Sequence, residues 1–137
     1  MPTEFTHVRR VSFVETDMAG VVHFSNYFRM MEEVEHAFYR SLGLSVSMTH
    51  EAMEIGWPRV ACACEFFGPL RFEDEVRLVL RVTKVGEKSF NYEVEFFRAD
   101  LRVARGRLTS VCVALTEAGF QPIPIPAAIR AKLSAEP

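Results

Sequence analysis

Between Phe24 and Leu42 the apolar residues change their spacing, and this change constrains the fold of the 137-residue chain more than any other feature. Tyr27, Met30, Met31, Val34, Phe38 and Leu42 recur every three or four positions, with Arg29, Glu32, Glu33, His36 and Arg40 on the other side. That is the period of an amphipathic helix, here about five turns long. Ser25 or Asn26 is placed to cap its start, and Gly43 suits the left-handed residue just past its end.

Around this helix the pattern is that of strands. His7–Val14 alternates and is β-branched, and the run 59–67 is apolar and closed by Gly68-Pro69. Val76–Lys84 places Val76, Leu78, Leu80 and Val82 on one face, and Phe90–Phe97 does the same with Phe90, Tyr92, Val94 and Phe96. Leu101–Leu115 reads as a last long strand. Short links join these segments into an antiparallel meander. Thr49–Met53 reads as a short helical turn, Pro122–Pro126 as extended chain, and Ala127–Leu133 as one short closing helix. The expectation is one α+β domain over residues 1–137, with five strands against a long helix. A single helix covers only part of one face of such a sheet. The remaining apolar positions, and the twelve phenylalanines, call for self-association, a dimer at minimum.

Composition narrows the function. Hydrophobic residues make up 49% and charged residues 25%, ordinary values for a globular domain. A net charge of −2 gives no positive field to hold nucleic acid. The three cysteines make no disulfide framework and read as small buried apolar residues. His7, His23, His36 and His50 are scattered, so no metal site and no cofactor are expected. No run approaches the roughly 18 apolar residues of a membrane span, and no export signal follows Met1, which points to the cytoplasm.

Chemistry-bearing residues crowd into positions 13–28, which hold an acidic loop, a glycine, a histidine and a helix start. Asp17 lies seven residues before Phe24, where unpaired N–H groups form a local positive pole. A thioester carbonyl placed there would be stabilised as charge develops on its oxygen. A nearby carboxylate could attack the carbonyl carbon or activate water. Acid-rich loops before helices are common, however, and most serve as caps or solvated turns.

The stretch Glu15-Thr16-Asp17-Met18-Ala19-Gly20-Val21-Val22-His23-Phe24-Ser25-Asn26-Tyr27-Phe28-Arg29 closely resembles the signature of the 4-hydroxybenzoyl-CoA thioesterase family. The likeness continues through Arg40-Ser41-Leu42-Gly43-Leu44, Lys88-Ser89-Phe90 and the Pro-rich approach to Ile129-Arg130. It implies the hotdog fold, in which a long antiparallel sheet wraps a central helix. It also implies a homodimer or homotetramer with active sites at the subunit interface. The implied substrate is an acyl-CoA, so that coenzyme A is part of the substrate rather than a cofactor. By this resemblance Asp17 is nucleophile or general base, the Phe24 N–H polarises the carbonyl, and Gly20 permits close approach. Lys88 and Ser89 match a position that contacts the nucleotide of coenzyme A, although a solvated hairpin lysine is the plainer reading. Asn26 and Tyr27 fix the helix start, and Asn26 is with Lys88 and Ser89 a candidate for binding the substrate or its coenzyme A.

One departure concerns His23. Many relatives acting on short acyl chains carry histidine where this chain has Phe24, and one residue on a helix turns a side chain by about 100°. His23 therefore either touches substrate or packs and caps near the loop. Phe24 is closer to the hydroxybenzoyl-type members and favours an aryl or bulky acyl group. Glu32, Glu33 and Glu35 could replace Asp17, as a helical glutamate does in another hotdog branch, but they read as a solvated face. The rival functions are hydrolysis of carrier-protein-linked thioesters, a hotdog dehydratase, and a non-catalytic acyl-CoA-binding protein. No G-x-S-x-G elbow or dinucleotide fingerprint is present.

Overall fold

A computed structural model describes residues 4–134. Strand β1 (Glu4–Arg10) leads through one 3-10 turn (Phe13–Glu15) into helix α1 (Ser25–Ser41). Short strands β2 (Met48–His50) and β3 (Met53–Gly56) follow, then β4 (Arg59–Phe66). Long strands β5 (Glu75–Val85), β6 (Ser89–Arg98) and β7 (Leu101–Val111) make the meander. Strands β8 (Val113–Thr116) and β9 (Gly119–Pro122) and helix α2 (Ala127–Ser134) close the described chain.

Five strands form one antiparallel sheet in the order β1-β5-β6-β7-β4. The two alternating faces expected from the sequence are its inner surface: Val76, Leu78, Leu80 and Val82 on β5, and Phe90, Tyr92, Val94 and Phe96 on β6, are all buried. Helix α1 lies across this face. Tyr27 near its start packs edge-on against Phe66, and Tyr39 near its end reaches Trp57, which packs on Phe90. Its 17 residues, at about 1.5 Å each, run most of the sheet's length.

The architecture is richer than a single sheet and one long helix. A second, four-stranded ladder, β2-β3-β8-β9, stands beside the first sheet. Thr49–Met53 is the turn of its first hairpin rather than a helical turn, because Glu51 and Ala52 adopt φ of 48° and 65°. Two successive left-handed residues close a hairpin with the twist that strands prefer. The long strand expected over 101–115 breaks at Cys112, whose amide turns to the Lys88 carbonyl at 2.7 Å. The first strand lies earlier than its alternation suggests, since from Val11 onward the chain bonds to the turn before β5. Strand β4 is an edge of the large sheet, with Val60 and Phe66 63% and 48% exposed.

Gly106 on β7 sets how closely α1 can approach. A Cβ added there would collide with Sδ and Cε of Met31, which is fully buried. Gly106→Ala is expected to cost about 1–3 kcal/mol through overpacking. Adding Met31→Ala removes the clashing atoms, so the double variant should lose less than the sum of the two single losses. Urea denaturation of the four proteins checks this; simple additivity would place the strain elsewhere.

Candidate active site

The loop between β1 and α1 is tied down mainly by its own backbone. Thr16 and Val22 form an isolated antiparallel bridge, and Val22 N–H donates to the Leu70 carbonyl at 2.8 Å. The Glu15 carbonyl accepts the His23 amide at 2.9 Å and Asn26 Nδ2 at 2.8 Å. Asn26 thus staples the loop to the first turn of α1. The Glu15 carboxylate accepts the Ser12 amide and both bonds from Arg9 Nη2. Arg9 in turn reaches Glu33, which also holds His7 at 2.9 Å.

Asp17 sits at the exposed apex of this loop. Its Oδ1 accepts the Ala19 N–H at 2.9 Å and the Val21 N–H at 3.5 Å. Its Oδ2 makes no hydrogen bond among the described residues. Gly20 turns the chain at φ of 80° and donates its N–H to the Asp17 carbonyl at 2.9 Å. No heavy atom outside its immediate neighbours lies within 4 Å of where a Gly20 Cβ would be, so its role is conformational freedom rather than space.

Helix α1 begins without the side-chain cap that Ser25 or Asn26 was expected to supply. His23 stands in for it. Its Nδ1 lies 3.3 Å from the Ser25 amide and 2.8 Å from the Ser25 hydroxyl. Accepting that amide proton requires Nδ1 to be bare, which leaves the ring proton on Nε2. The Phe24 amide has no acceptor among the described residues, and its ring, 65% exposed, stacks on His23 at 4.5 Å. A carboxylate oxygen and a helix-start N–H are thus both unengaged within one short loop.

Lys88 and Ser89 are not brought to this loop. Lys88 lies in the turn after β5 and Ser89 opens β6, whereas Asp17 lies beyond the opposite end of β5, where Arg10 pairs with Glu75. The eleven residues of β5, at about 3.4 Å each, separate the two by roughly 35 Å. The hairpin is anchored by Arg130, whose guanidinium donates to the carbonyls of Gly86 and Glu87.

A second polar cluster was not anticipated. Glu35, read from sequence as part of a solvated face, is only 1% exposed. Its two oxygens accept from the Tyr92 hydroxyl and from Arg59 Nη2. Burial pushes its carboxyl above the ordinary carboxylate value, partly offset by the Tyr92 bond and the Arg59 charge. The signal was present: Glu35 lies four residues from both Met31 and Tyr39, two buried positions. Glu32 and Glu33 remain partly exposed, Glu32 with Oε2 3.5 Å from Arg59 Nη2. Beside this cluster is a cavity of about 220 Å³ lined by Phe28, Arg29, Glu32, Arg59, Cys62 and Leu108. Cys62 is exposed rather than buried, whereas burial pushes the Cys64 and Cys112 thiols up to about 11.

Against known families, the description of the thioesterase-like superfamily matches residues 11–133. The chain belongs to that superfamily. Within it, a 1,4-dihydroxy-2-naphthoyl-CoA hydrolase of Synechocystis sp. is 30% identical over 124 residues, 89% of this chain and 90% of its own. The crystal structure of a 1,4-dihydroxy-2-naphthoyl-CoA thioesterase from Synechocystis superposes with a TM-score of 0.84 at 26% identity, covering 96% of both chains. A gentisyl-coenzyme A thioesterase structure gives 0.81 at 29% identity, covering 94% of this chain and 99% of its own. The fold is that of the hotdog thioesterases, with no described helix long and apolar enough to cross a membrane.

Proposed function

We propose that this protein hydrolyses an aryl-CoA thioester to the free acid and coenzyme A. The observation that carries the proposal is the pairing of an unengaged Asp17 oxygen with an unengaged Phe24 N–H in one backbone-braced loop. The amide, at the positive end of α1, polarises the thioester carbonyl. Asp17 then attacks the carbon or takes a proton from the attacking water, and the thiolate of coenzyme A departs. His23 acts here as a capping residue through its Nδ1.

Support for coenzyme A and for an aromatic acyl group comes from relatives whose names carry both, naphthoyl-CoA and gentisyl-CoA. The resemblance of the loop around Asp17 to the 4-hydroxybenzoyl-CoA thioesterase signature agrees with that preference. The functional unit is a pair of copies, from which a homodimer or a homotetramer is built. Strand β4 has an open backbone edge and apolar side chains exposed on both faces, which a second copy would pair and cover. Six of the twelve phenylalanines, Phe13, Phe24, Phe66, Phe67, Phe72 and Phe120, are at least 48% exposed and await such a cover. A second copy is also the way for Lys88 and Ser89 to approach an Asp17, which their own chain holds roughly 35 Å away.

Thiol release from a panel of aryl- and alkyl-CoAs tests the reading. Turnover of the aryl members above the alkyl members is expected. No turnover of any member, with coenzyme A still bound, would favour carrier-linked substrates or a binding role.

A further inference from the structure

The cavity beside Arg59 lies in line with the loop. Phe28 and Glu32 are four and eight residues past Phe24 on α1, so they stand roughly 6 and 12 Å along the axis from the Phe24 amide. Steps of four residues keep them near one face of the helix. That face meets Arg59 and Cys62 of β4 and Leu108 of β7, and Cys62 and Leu108 pair across the two strands. An acyl group whose carbonyl oxygen rests at Phe24 N–H can therefore extend down α1 into this space. Phe28 and Leu108 supply apolar walls near the entrance, and Arg59 and Glu32 supply polar ones further in.

Arg59 is held in place from behind. Its Nη2 engages the buried Glu35, which also takes the Tyr92 hydroxyl, and lies 3.5 Å from Glu32 Oε2; its Nε and Nη1 meet no carboxylate among the described residues. A rigid guanidinium offers donors, and the Glu32 carboxylate beside it, half-exposed, offers an acceptor. A hydroxyl is the group that both accepts and donates. The volume of about 220 Å³ accommodates one or two fused rings.

We infer that Arg59 and Glu32 are specificity-determining residues that read a ring hydroxyl at the far end of an aromatic acyl group. This rests on the proposed thioesterase reading for where the carbonyl sits. Glu35 and Tyr92 are then positioning residues that act through Arg59.

The experiment measures binding and hydrolysis separately. Phenacyl-CoA and 4-hydroxyphenacyl-CoA, thioethers that cannot be hydrolysed, are titrated calorimetrically against wild type, Arg59→Lys, Arg59→Met and Glu32→Gln. Wild type should bind the hydroxylated analogue on the order of tenfold more tightly, the scale of a hydrogen bond to a charged group. The ratio should fall towards one in Arg59→Met and to an intermediate value in Arg59→Lys, which keeps the charge and loses the fork. Arg59→Lys and Glu32→Gln keep the test informative if Arg59→Met does not fold. An equal ratio in wild type and all folded variants overturns the inference. Thiol release from benzoyl-CoA and 4-hydroxybenzoyl-CoA runs alongside. Hydrolysis of both without discrimination, and without a binding preference, would sink the inference and leave the thioesterase reading intact. A variant-sensitive binding preference without hydrolysis would do the reverse.

Discussion

Asp17→Asn is expected to lower kcat by about 10³-fold or more while leaving the unfolding midpoint in place. The two halves of this expectation have separate causes. In the loop, only Oδ1 has structural partners, the amides of Ala19 and Val21, and an asparagine carbonyl can accept both. The amide nitrogen would replace Oδ2, which has no partner among the described residues, so little stability is at stake. Chemically the change is severe, because a neutral amide neither attacks a thioester nor takes a proton from water. A companion variant isolates the other half of the site. Phe24 has φ of −54°, close to the proline value, so Phe24→Pro deletes the N–H with little backbone strain at that residue. It should cost roughly 10²–10³-fold in kcat, whereas Phe24→Leu keeps the donor and much of the rate. Steady-state thiol release and thermal melts on all four proteins decide the matter. An Asp17→Asn protein that unfolds early, or one that still turns over, would remove Asp17 from the chemistry.

The second large effect concerns Glu35. Glu35→Ala leaves the Arg59 guanidinium and the buried Tyr92 hydroxyl without their shared acceptor, and should destabilise the fold by about 3–5 kcal/mol. Glu35→Gln keeps an acceptor and should cost less. The two wild-type protonation states add a pH signature. Burial raises the Glu35 pKa, so the folded protein holds this proton more tightly than the unfolded chain does. The carboxyl's contribution is therefore full below the unfolded-chain value of about 4.5 and is lost as pH rises through the folded value. Glu35→Gln lacks the proton, so the stability of wild type minus that of the variant should decline across this window. Urea titrations at several pH values measure it, and a difference that grows with pH would show that Glu35 is ionised throughout.

How much could be read in advance differed by element for physical reasons. Strands β5 and β6 alternate cleanly, so their inner faces were legible residue by residue, and α1 was legible from its three-and-four spacing. The ladder of β2, β3, β8 and β9 was not, because its strands have only three or four residues each and its first hairpin turns on two non-glycine residues at positive φ. Asp17, Gly20, His23 and Phe24 are close in sequence, so their meeting in one loop was visible. The union of Glu35 with Arg59 and Tyr92 spans 24 and 57 residues and is a product of packing alone. Glu35 was misjudged because a charged side chain on a helix is assumed to be wet. The distance between Lys88 and Asp17 was equally hidden, since it depends on which end of β5 each turn occupies.

The proposed reacting carboxylate hangs on main-chain amides, while the space beneath it is walled by side chains. Ala19 and Val21 serve Asp17 through N–H groups that almost any residue possesses. Phe28, Cys62 and Leu108 shape the cavity and make no hydrogen bond to that loop. Mutation can therefore redraw the wall without disturbing the hydrolytic loop above it. A lineage built this way can exchange one acid for another by a few substitutions, keeping its chemistry while its diet drifts.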